Sequence, residues 1–562
     1  MISTLGTNFD IILISGEYWD DHPYSPVGVI ARVLESRGFS VGIIEKPVKA
    51  EDFTRLGRPR LFFGITSGSI DSMLHNYTPL KKEREDSAAE GEPRLRRRGT
   101  RNVEPMPDRA VIVYCQKLKE QFKGVPLVIG GVEASLRRFA HYDYWDNAVR
   151  RSILLDSRAD ILVYGNGEKQ VVEIAERLDK GEGLSGVAGT CVIQKEVPEG
   201  IELVPPYETA SIDPRAFCAL QRALSNQKTI AQPHGNRFVV QYCYPVYTPA
   251  DLDWIYGLPY TRDLHPGSLL AMAQFSVITH RGCVGDCHFC SLGLHQGNTI
   301  ISRSEDSILG EIERLTHYEK FKGYIDDLGG PAANMYGMDC EMVHCSPHCA
   351  SCTRADLSHD RLIRLMRKAR AIPGVKKVFV RSGVRFDLAI KSKPYIRELS
   401  EYHISGCLKI APEHVSPAVL KQMNKQNDGL NEFVAIFQDL NRKKKQFLTY
   451  YFMVGHPGET TQTALELSRE MKSLRNVEQF QLFTPLPMTV SACMYWTHLD
   501  PYTLERVEVV ADYKGKKELK RLLLGESGEE RSVGKYAPRT KPGRPMLQQQ
   551  RRVFPGTKKH LK

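Results

Sequence analysis

The apolar stretch Phe275 to Ile278 runs into Thr279-His-Arg-Gly-Cys-Val-Gly-Asp-Cys-His-Phe-Cys-Ser291, which sets Cys283, Cys287 and Cys290 at C-x3-C-x2-C spacing. Three thiols on one short loop after a strand constrain what can be built around them. A cubic 4Fe-4S cluster takes four cysteines in full, and this loop offers three. The fourth iron is left open to a small chelating ligand that can take an electron, which points to chemistry rather than electron storage. Zinc is the alternative reading, with His280 or His288 as the fourth ligand. A disulfide is not expected, because thirteen cysteines in 562 residues without a secretory signal peptide read as reduced thiols.

Around that loop the hydrophobic pattern alternates between strand and helix. Phe9 to Ile14, Gly38 to Ile44, Leu61 to Thr66, Leu127 to Ile129 and Ile161 to Tyr164 read as strands, with a helix over Val27 to Arg37. That alternation predicts a parallel, doubly wound, Rossmann-like unit over residues 1–180 with its loops at the strand C-terminal ends. Residues 181–265 are less regular, with strand-like pieces at Thr190 to Gln194 and Phe238 to Tyr242, and read as a bridge. A second alternation follows over 266–510. Its strands fall at Phe275 to Thr279, Gly323 to Asp327, Lys377 to Val380, Cys407 to Ile410, Phe447 to Val454 and Phe480 to Phe483. Helices fall at Ser304 to Tyr318, Asp360 to Ala371, Pro417 to Asn424 and Thr460 to Leu474. Such a sequence of elements makes a partial (β/α)6 barrel of the TIM type, whose active site sits at the C-terminal mouth where the cysteine loop also lies.

Charge is unevenly placed. The net charge is +11, yet residues 513–562 hold fifteen Lys and Arg against four Asp and Glu, so the body is neutral. The segment 511–562 is expected to be a basic, partly disordered tail that can attract RNA or simply stay solvated. Between Lys81 and Arg109 the run Arg96-Arg97-Arg98 marks a long surface loop. No apolar run approaches a membrane span, and Met1-Ile-Ser-Thr-Leu lacks the basic flank and apolar core of a signal peptide, so a cytoplasmic protein is expected.

The cysteine loop, Cys283-x3-Cys287-x-Phe289-Cys290, resembles the radical S-adenosylmethionine (SAM) superfamily. Leu328-Gly329-Gly330-Pro331 follows the second barrel strand, where that superfamily holds the SAM amino group on backbone. Pro331 here replaces an acidic residue, so only Gly329 and Gly330 carry over. Arg381-Ser382-Gly383 and Ile410-Ala-Pro-Glu413 stand after the third and fourth strands, where relatives contact the SAM carboxylate and ribose. Gly455-His-Pro-Gly-Glu-Thr460 resembles a turn of the branch with methylthiotransferases. The whole chain is similar to YgiQ-type radical SAM proteins, through Ser15-Gly-Glu-Tyr-Trp-Asp-Asp-His-Pro23, Gly130-Gly-Val-Glu-Ala-Ser135 and Gly329-Gly-Pro-Ala-Ala-Asn-Met335. The resemblance implies a 4Fe-4S cluster on Cys283, Cys287 and Cys290, and SAM contacted by Phe289, Gly329, Gly330, Ser382, Arg385, Glu413 and Gly455. A flavodoxin-like one-electron donor is implied as partner.

Two further groups stand apart. Asp20-x-His22, Ser67-x-Ser69 and Gly130-Gly131 outline a cobalamin-binding domain, but Pro23 follows His22 and Ser25 stands where that pattern has glycine. A Rossmann-like domain without cobalamin is therefore expected. Cys340, Cys345, Cys349 and Cys352 lie in an insertion over 336–356 and form a second candidate metal site, for zinc or an auxiliary iron-sulfur cluster, or a set of redox thiols. Three functions follow from these residues. The first is a radical SAM enzyme on an unknown substrate. The others are a methyl- or methylthio-transferase acting on RNA or protein, and a non-catalytic iron-sulfur or zinc protein that binds RNA.

Overall fold

The computed structural model describes residues 1–84, 106–340, 352–425, 427–474 and 477–524. Its N-terminal half is built on a ten-stranded sheet of β1 (Ile2–Ser3), β2 (Ile11–Ser15), β3 (Val41–Glu45), β4 (Phe62–Thr66), β5 (Leu127–Ile129), β6 (Ile161–Val163), β7 (Thr190–Gln194), β8 (Glu202–Leu203), β9 (Ile230–His234) and β10 (Arg237–Gln241). The spatial order is β1-β3-β2-β4-β5-β6-β7-β10-β9-β8. All pairs from β1 through β6 are parallel. Their apolar side chains point to both faces, which is why Ile-Ile-Leu-Ile in β2 reads as an unbroken run and is buried throughout. The first helix, α1 (Pro26–Ser36), starts where the Ser25 hydroxyl accepts the Gly28 N–H at 3.2 Å and Pro26 fixes the first turn. Gly38, at φ 89°, takes the chain out of it.

The segment 181–265, expected as a bridge, extends this sheet. The pairs β6-β7, β7-β10 and β10-β9 are antiparallel, and β9 then pairs with the edge strand β8 in parallel. β7 and β10 match the strand-like pieces read from the sequence, whereas the edge strand β8, two residues long and exposed, carries little apolar signal.

The second half holds β11 (Val277–Ile278), β12 (Tyr324–Ile325), β13 (Leu328–Gly329), β14 (Lys377–Val378), β15 (Cys407–Glu413), β16 (Phe447–Val454) and β17 (Val477–Leu482). β11 pairs with β13, β12 with β14, and β16 with both β15 and β17, all parallel. β12 and β13 are one path broken at Asp326 and Asp327, whose carboxylates accept backbone N–H groups of neighbouring strands: Phe275 at 3.1 Å for Asp326, Arg381 at 2.7 Å for Asp327. With that break counted as one strand, the order is the six-stranded open barrel expected from the sequence. Helices α2 (Glu305–Thr316) and α3 (Thr461–Ser473) lie on its outside, α2 burying Ile308, Ile312 and Leu315.

A charged strap joins the halves. Arg262 donates to the carbonyls of Gln274 and Ser276 at 2.8 and 3.0 Å and pairs with Glu311 of α2, which also holds Arg303 at 2.5 Å. The Arg262 N–H reaches the Asp21 carbonyl at 2.9 Å. The loop after β2 is thereby fixed over the barrel mouth.

The first residues of the expected basic tail are helical. Beyond a helix α4 (Val490–Thr497), residues Tyr513–Leu524 form a helix, α5, that buries Leu519 and Leu523 against α3. Apart from the buried Lys516, its charges lie on the outer face of an amphipathic turn pattern, so net charge alone masked the packed side. Residues 525–562 and the Arg96-Arg97-Arg98 loop lie outside the described residues. Among the described residues no helix is long and apolar enough to cross a membrane.

Candidate active site at the barrel mouth

The cysteine loop follows β11 directly and ends at the short helix Leu292–Gln296. It is pinned from several sides. His288 donates its N–H to Met423 O at 2.9 Å, Asn424 Nδ2 donates to Asp286 O at 2.9 Å, and Ser491 N of α4 donates to His288 O at 3.0 Å. Gly285 lets Arg385 pack on the loop, because an added Cβ would stand 2.3 Å from the guanidinium. The Leu292 N–H reaches Cys290 Sγ at 3.5 Å. Burial pushes the Cys290 thiol up to about 12, with the Cys287 and Cys283 thiols adding to the same direction. Burial disfavours the thiolate at Cys287 and Cys290, and a bound cation would offset that cost, which fits a metal cluster.

Each imidazole considered for zinc already has its Nδ1 engaged elsewhere. His288 Nδ1 bonds Gln422 O at 2.9 Å and its ring stacks on Tyr502. His280 Nδ1 bonds Thr279 Oγ1 at 2.8 Å, and the ring lies under Gly330. Among the described residues no three His, Cys, Asp or Glu side chains close on a single ion. The three soft ligands of this loop suit a 4Fe-4S cluster with one open iron.

Cys290 opens on a cavity of about 700 Å³. Phe289, Glu413, Tyr451, Phe452 and Phe483 line its barrel side, and Glu17, Tyr18, Asp20 and Ser69 close it from the N-terminal sheet. Glu413 sits at a bulge where the register of β15 on β16 shifts, with a left-handed φ of 67°. Burial raises its carboxyl to about 7, against the opposing pull of Lys425. Phe289 meets His456 edge to face at 6.2 Å, and burial holds that imidazole neutral down to about 3.

The remaining expected residues are not all gathered there. Gly329 packs against Ser382, whose hydroxyl donates to Asp327, and an added Cβ on Gly329 would stand 2.8 Å from Ser382 Oγ. Gly330 and Ser382 line a second cavity instead. Arg385 pairs with Asp387 and faces the cysteine loop. Gly455 lies in a turn held by the Glu459 carboxylate, which also meets His414 at 3.4 Å. It is not among the residues lining either cavity.

His22 is fully buried with both ring nitrogens engaged: Nδ1 accepts the Tyr24 N–H at 3.0 Å and Nε2 bonds Gln274 O at 2.9 Å. As placed, it offers no nitrogen to a cobalt ion. Of the second cysteine group, Cys340 is exposed and Cys352 half-buried, while Cys345 and Cys349 lie outside the described residues. The sequence reading missed Asn424, Lys425 and Ser491, which reach the loop from distant positions and carry no local motif.

A family model for the radical SAM N-terminal region matches residues 2–277, and one for the radical SAM superfamily matches residues 277–471. A UPF0313 protein of Clostridium botulinum (strain Okra / Type B1) is 42% identical over 553 residues, covering 92% of this chain and 84% of the relative. A UPF0313 protein of Methanocella arvoryzae is 40% identical, covering 94% and 92%. Among solved structures, the radical S-adenosylmethionine methyltransferase TsrM of Kitasatospora setae, with cobalamin and a [4Fe-4S] cluster bound, aligns at a TM-score of 0.49 and 15% identity, covering 85% of this chain and 73% of that one.

Proposed function

The chain belongs to the radical SAM superfamily and, within it, to the UPF0313 proteins, and on that footing we propose that it uses a 4Fe-4S cluster to cleave SAM reductively and acts on a substrate held in the cavity of about 700 Å³. The observation that carries this reading is the opening of Cys290 and Phe289 onto a chamber walled by both halves of the protein. Bound at these cysteines, a cluster would supply one-electron reduction of the SAM sulfonium, in which the S–C5' bond breaks to give methionine and a 5'-deoxyadenosyl radical.

The chain's own residues then have separable tasks. Cys283, Cys287 and Cys290 hold three irons. The backbone of Gly329 and Gly330, freed of side chains, receives the SAM amino group. Glu413 accepts a hydrogen bond from a hydroxyl at the mouth, which its buried setting strengthens. Tyr451, Phe452 and Phe483 keep water from the reacting atoms. His22 is given no cofactor to hold in this reading. An external flavodoxin-like donor, a cytoplasmic location and RNA binding through the tail are part of the proposal's periphery and rest on the sequence alone.

Anaerobic reconstitution with iron and sulfide, followed by dithionite and SAM, tests the reading. Formation of 5'-deoxyadenosine that is lost in Cys287→Ala is the expected result. Intact SAM with zinc bound by the parent protein would replace it with the binding-protein reading.

A further inference from the structure

In a parallel barrel every loop that leads into a strand lies on one rim, and every loop that leaves a strand lies on the other. The cysteine loop leaves β11, so the segments that lead into β14, β15 and β16 meet on the far rim, away from the mouth. There the end of the helix Asp360–Ala371, the helix Lys393–Glu398 and the π-helical turn Leu399–His403 enclose a cleft of about 350 Å³. Four cations line it, Arg367, Arg370, Lys393 and Arg397, against the carboxylates of Glu398 and Glu401, with the ring of Tyr402 beside them.

Half of that positive charge has a structural task. The buried Glu398 carboxylate takes Arg367 at 2.7 Å and Arg370 at 3.3 Å, and Arg370 also stacks on Tyr402 at 3.8 Å. Lys393 and Arg397 are exposed, and among the described residues neither pairs with a carboxylate. The next loop adds to them. Arg442-Lys443-Lys444-Lys445 are four consecutive exposed cations leading into β16. Lys444 ties this loop to the π-helical turn by donating to Ser400 O at 3.2 Å, and Gln446 Nε2 donates to Ile404 O at 3.4 Å. Among the described residues, only Arg442 of the four pairs with a carboxylate, that of Asp439 at 3.0 Å. The chain body carries no net charge, so this excess is a matter of placement, and like charges held together are offset by an anion from outside. Aromatic rings stand among them. Tyr402 is 40% exposed, and Tyr324, which starts β12 on the same rim, is 45% exposed with the Lys376 ammonium 5.9 Å from its ring. A single strand offers phosphates to such cations and bare bases to such rings, whereas a duplex hides its bases and an acidic protein has none.

We infer that the far rim of the barrel is a docking surface for single-stranded nucleic acid, which sets its phosphates on Lys393, Arg397, Lys443 and Lys445 and a base against Tyr402. None of these residues lines the chamber at the mouth, and all of them lie outside the basic C-terminal segment. The inference therefore stands apart from the radical reading.

The test is the fluorescence anisotropy of a labelled, mixed-sequence single-stranded RNA of about 12 nucleotides with the full-length protein at about 50 mM salt. Arg397→Glu, Lys443→Glu and Lys445→Glu combined should weaken binding at least about ten-fold while the thermal melt matches the parent. Equal charge reversal at Lys558, Lys559 and Lys562 should change it less than about three-fold. Tyr402→Ala should weaken it about five-fold or more. If the triple reversal melts below the parent, Arg397→Gln, Lys443→Gln and Lys445→Gln combined takes its place, with a loss of at least about five-fold. Binding that survives these changes, an equal loss from the C-terminal reversals, an affinity unmoved by Tyr402→Ala, or competition by polyglutamate or duplex RNA as strong as by the unlabelled single strand at equal charge would each overturn the inference. Binding is read without SAM, so its failure and a failure to form 5'-deoxyadenosine are distinguishable.

Discussion

The imidazole Nε2 of His456 and the hydroxyl of Ser491 lie 2.7 Å apart in a fully buried setting. Ser491 also donates its backbone N–H to the His288 carbonyl, inside the cysteine loop. The turn after β16, the first turn of α4 and the loop between two cluster ligands are thus one hydrogen-bonded path. Ser491→Ala removes the partner of a buried imidazole, which costs on the order of 1–3 kcal/mol, and loosens the wall behind the loop. The expected outcome is a lower midpoint of thermal unfolding and faster loss of iron in air, measured by visible absorbance and iron content of anaerobically reconstituted protein. Iron retention equal to the parent would show that the path does not position the loop.

Glu413 is the one acidic group on the barrel side of the chamber, among the residues that line it. Its place at a left-handed bulge aims it inward at a conformational cost that an ordinary strand residue would avoid. Glu413→Gln keeps the shape and removes the carboxylate. Loss of a charge-assisted hydrogen bond of about 1.5 kcal/mol corresponds to about ten-fold weaker SAM binding. Equilibrium dialysis of the cluster-loaded protein measures it. An unchanged affinity for SAM, together with slower turnover, would move Glu413 from the cofactor to the substrate.

What the sequence revealed and what it hid follow one physical division. Local periodicity announced β5, β7 and β16 at their observed bounds, because each carries its apolar, β-branched or aromatic signal within its own consecutive residues. The three-cysteine loop was legible for the same reason: its chemistry is contained in eight consecutive residues. The walls of the chamber were not, since Tyr18 and Ser69 approach Phe289 only after two halves of the chain are docked. The docking itself depends on Arg262, Glu311 and Arg303, charged residues that a sequence reading assigns to solvent and the fold buries. The helix α5 was lost in a count of charges that did not separate its two faces.

That docking makes a direct prediction. Glu311 is shared by Arg262 and Arg303, all three nearly inaccessible to water. Glu311→Gln leaves two guanidinium groups buried with a neutral partner, a change that typically costs about 3–5 kcal/mol. Because Arg262 also bonds the carbonyls of Gln274 and Ser276 just before the cysteine loop, the halves should separate more readily. Limited proteolysis should then cut near residues 261–276 at lower protease concentration than in the parent. Unchanged proteolysis with a lowered melting temperature would confine the role of Glu311 to α2.

Lys516 of α5 is 2% exposed, and its ammonium donates to Tyr144 Oη at 2.8 Å between the rings of Tyr144 and Tyr495. Burial pushes its pKa down to about 7, and the charge of Lys81 adds to that. In the unfolded chain the amine keeps its proton up to its ordinary value of 10.5. Between about pH 7 and that value the unfolded state therefore binds more protons than the folded one, so stability rises with pH across this window, at up to about 1.4 kcal/mol per unit. Below about pH 7 the amine is charged in both states and the full cost of burying it remains. Lys516→Met fills the same slot without a charge. It should raise the melting temperature over the parent at about pH 6.5, and the two melting temperatures should converge towards about pH 10. Curves that run parallel across that range would show that the ammonium is not desolvated, and that the ring faces of Tyr144 and Tyr495 hold the charged form after all.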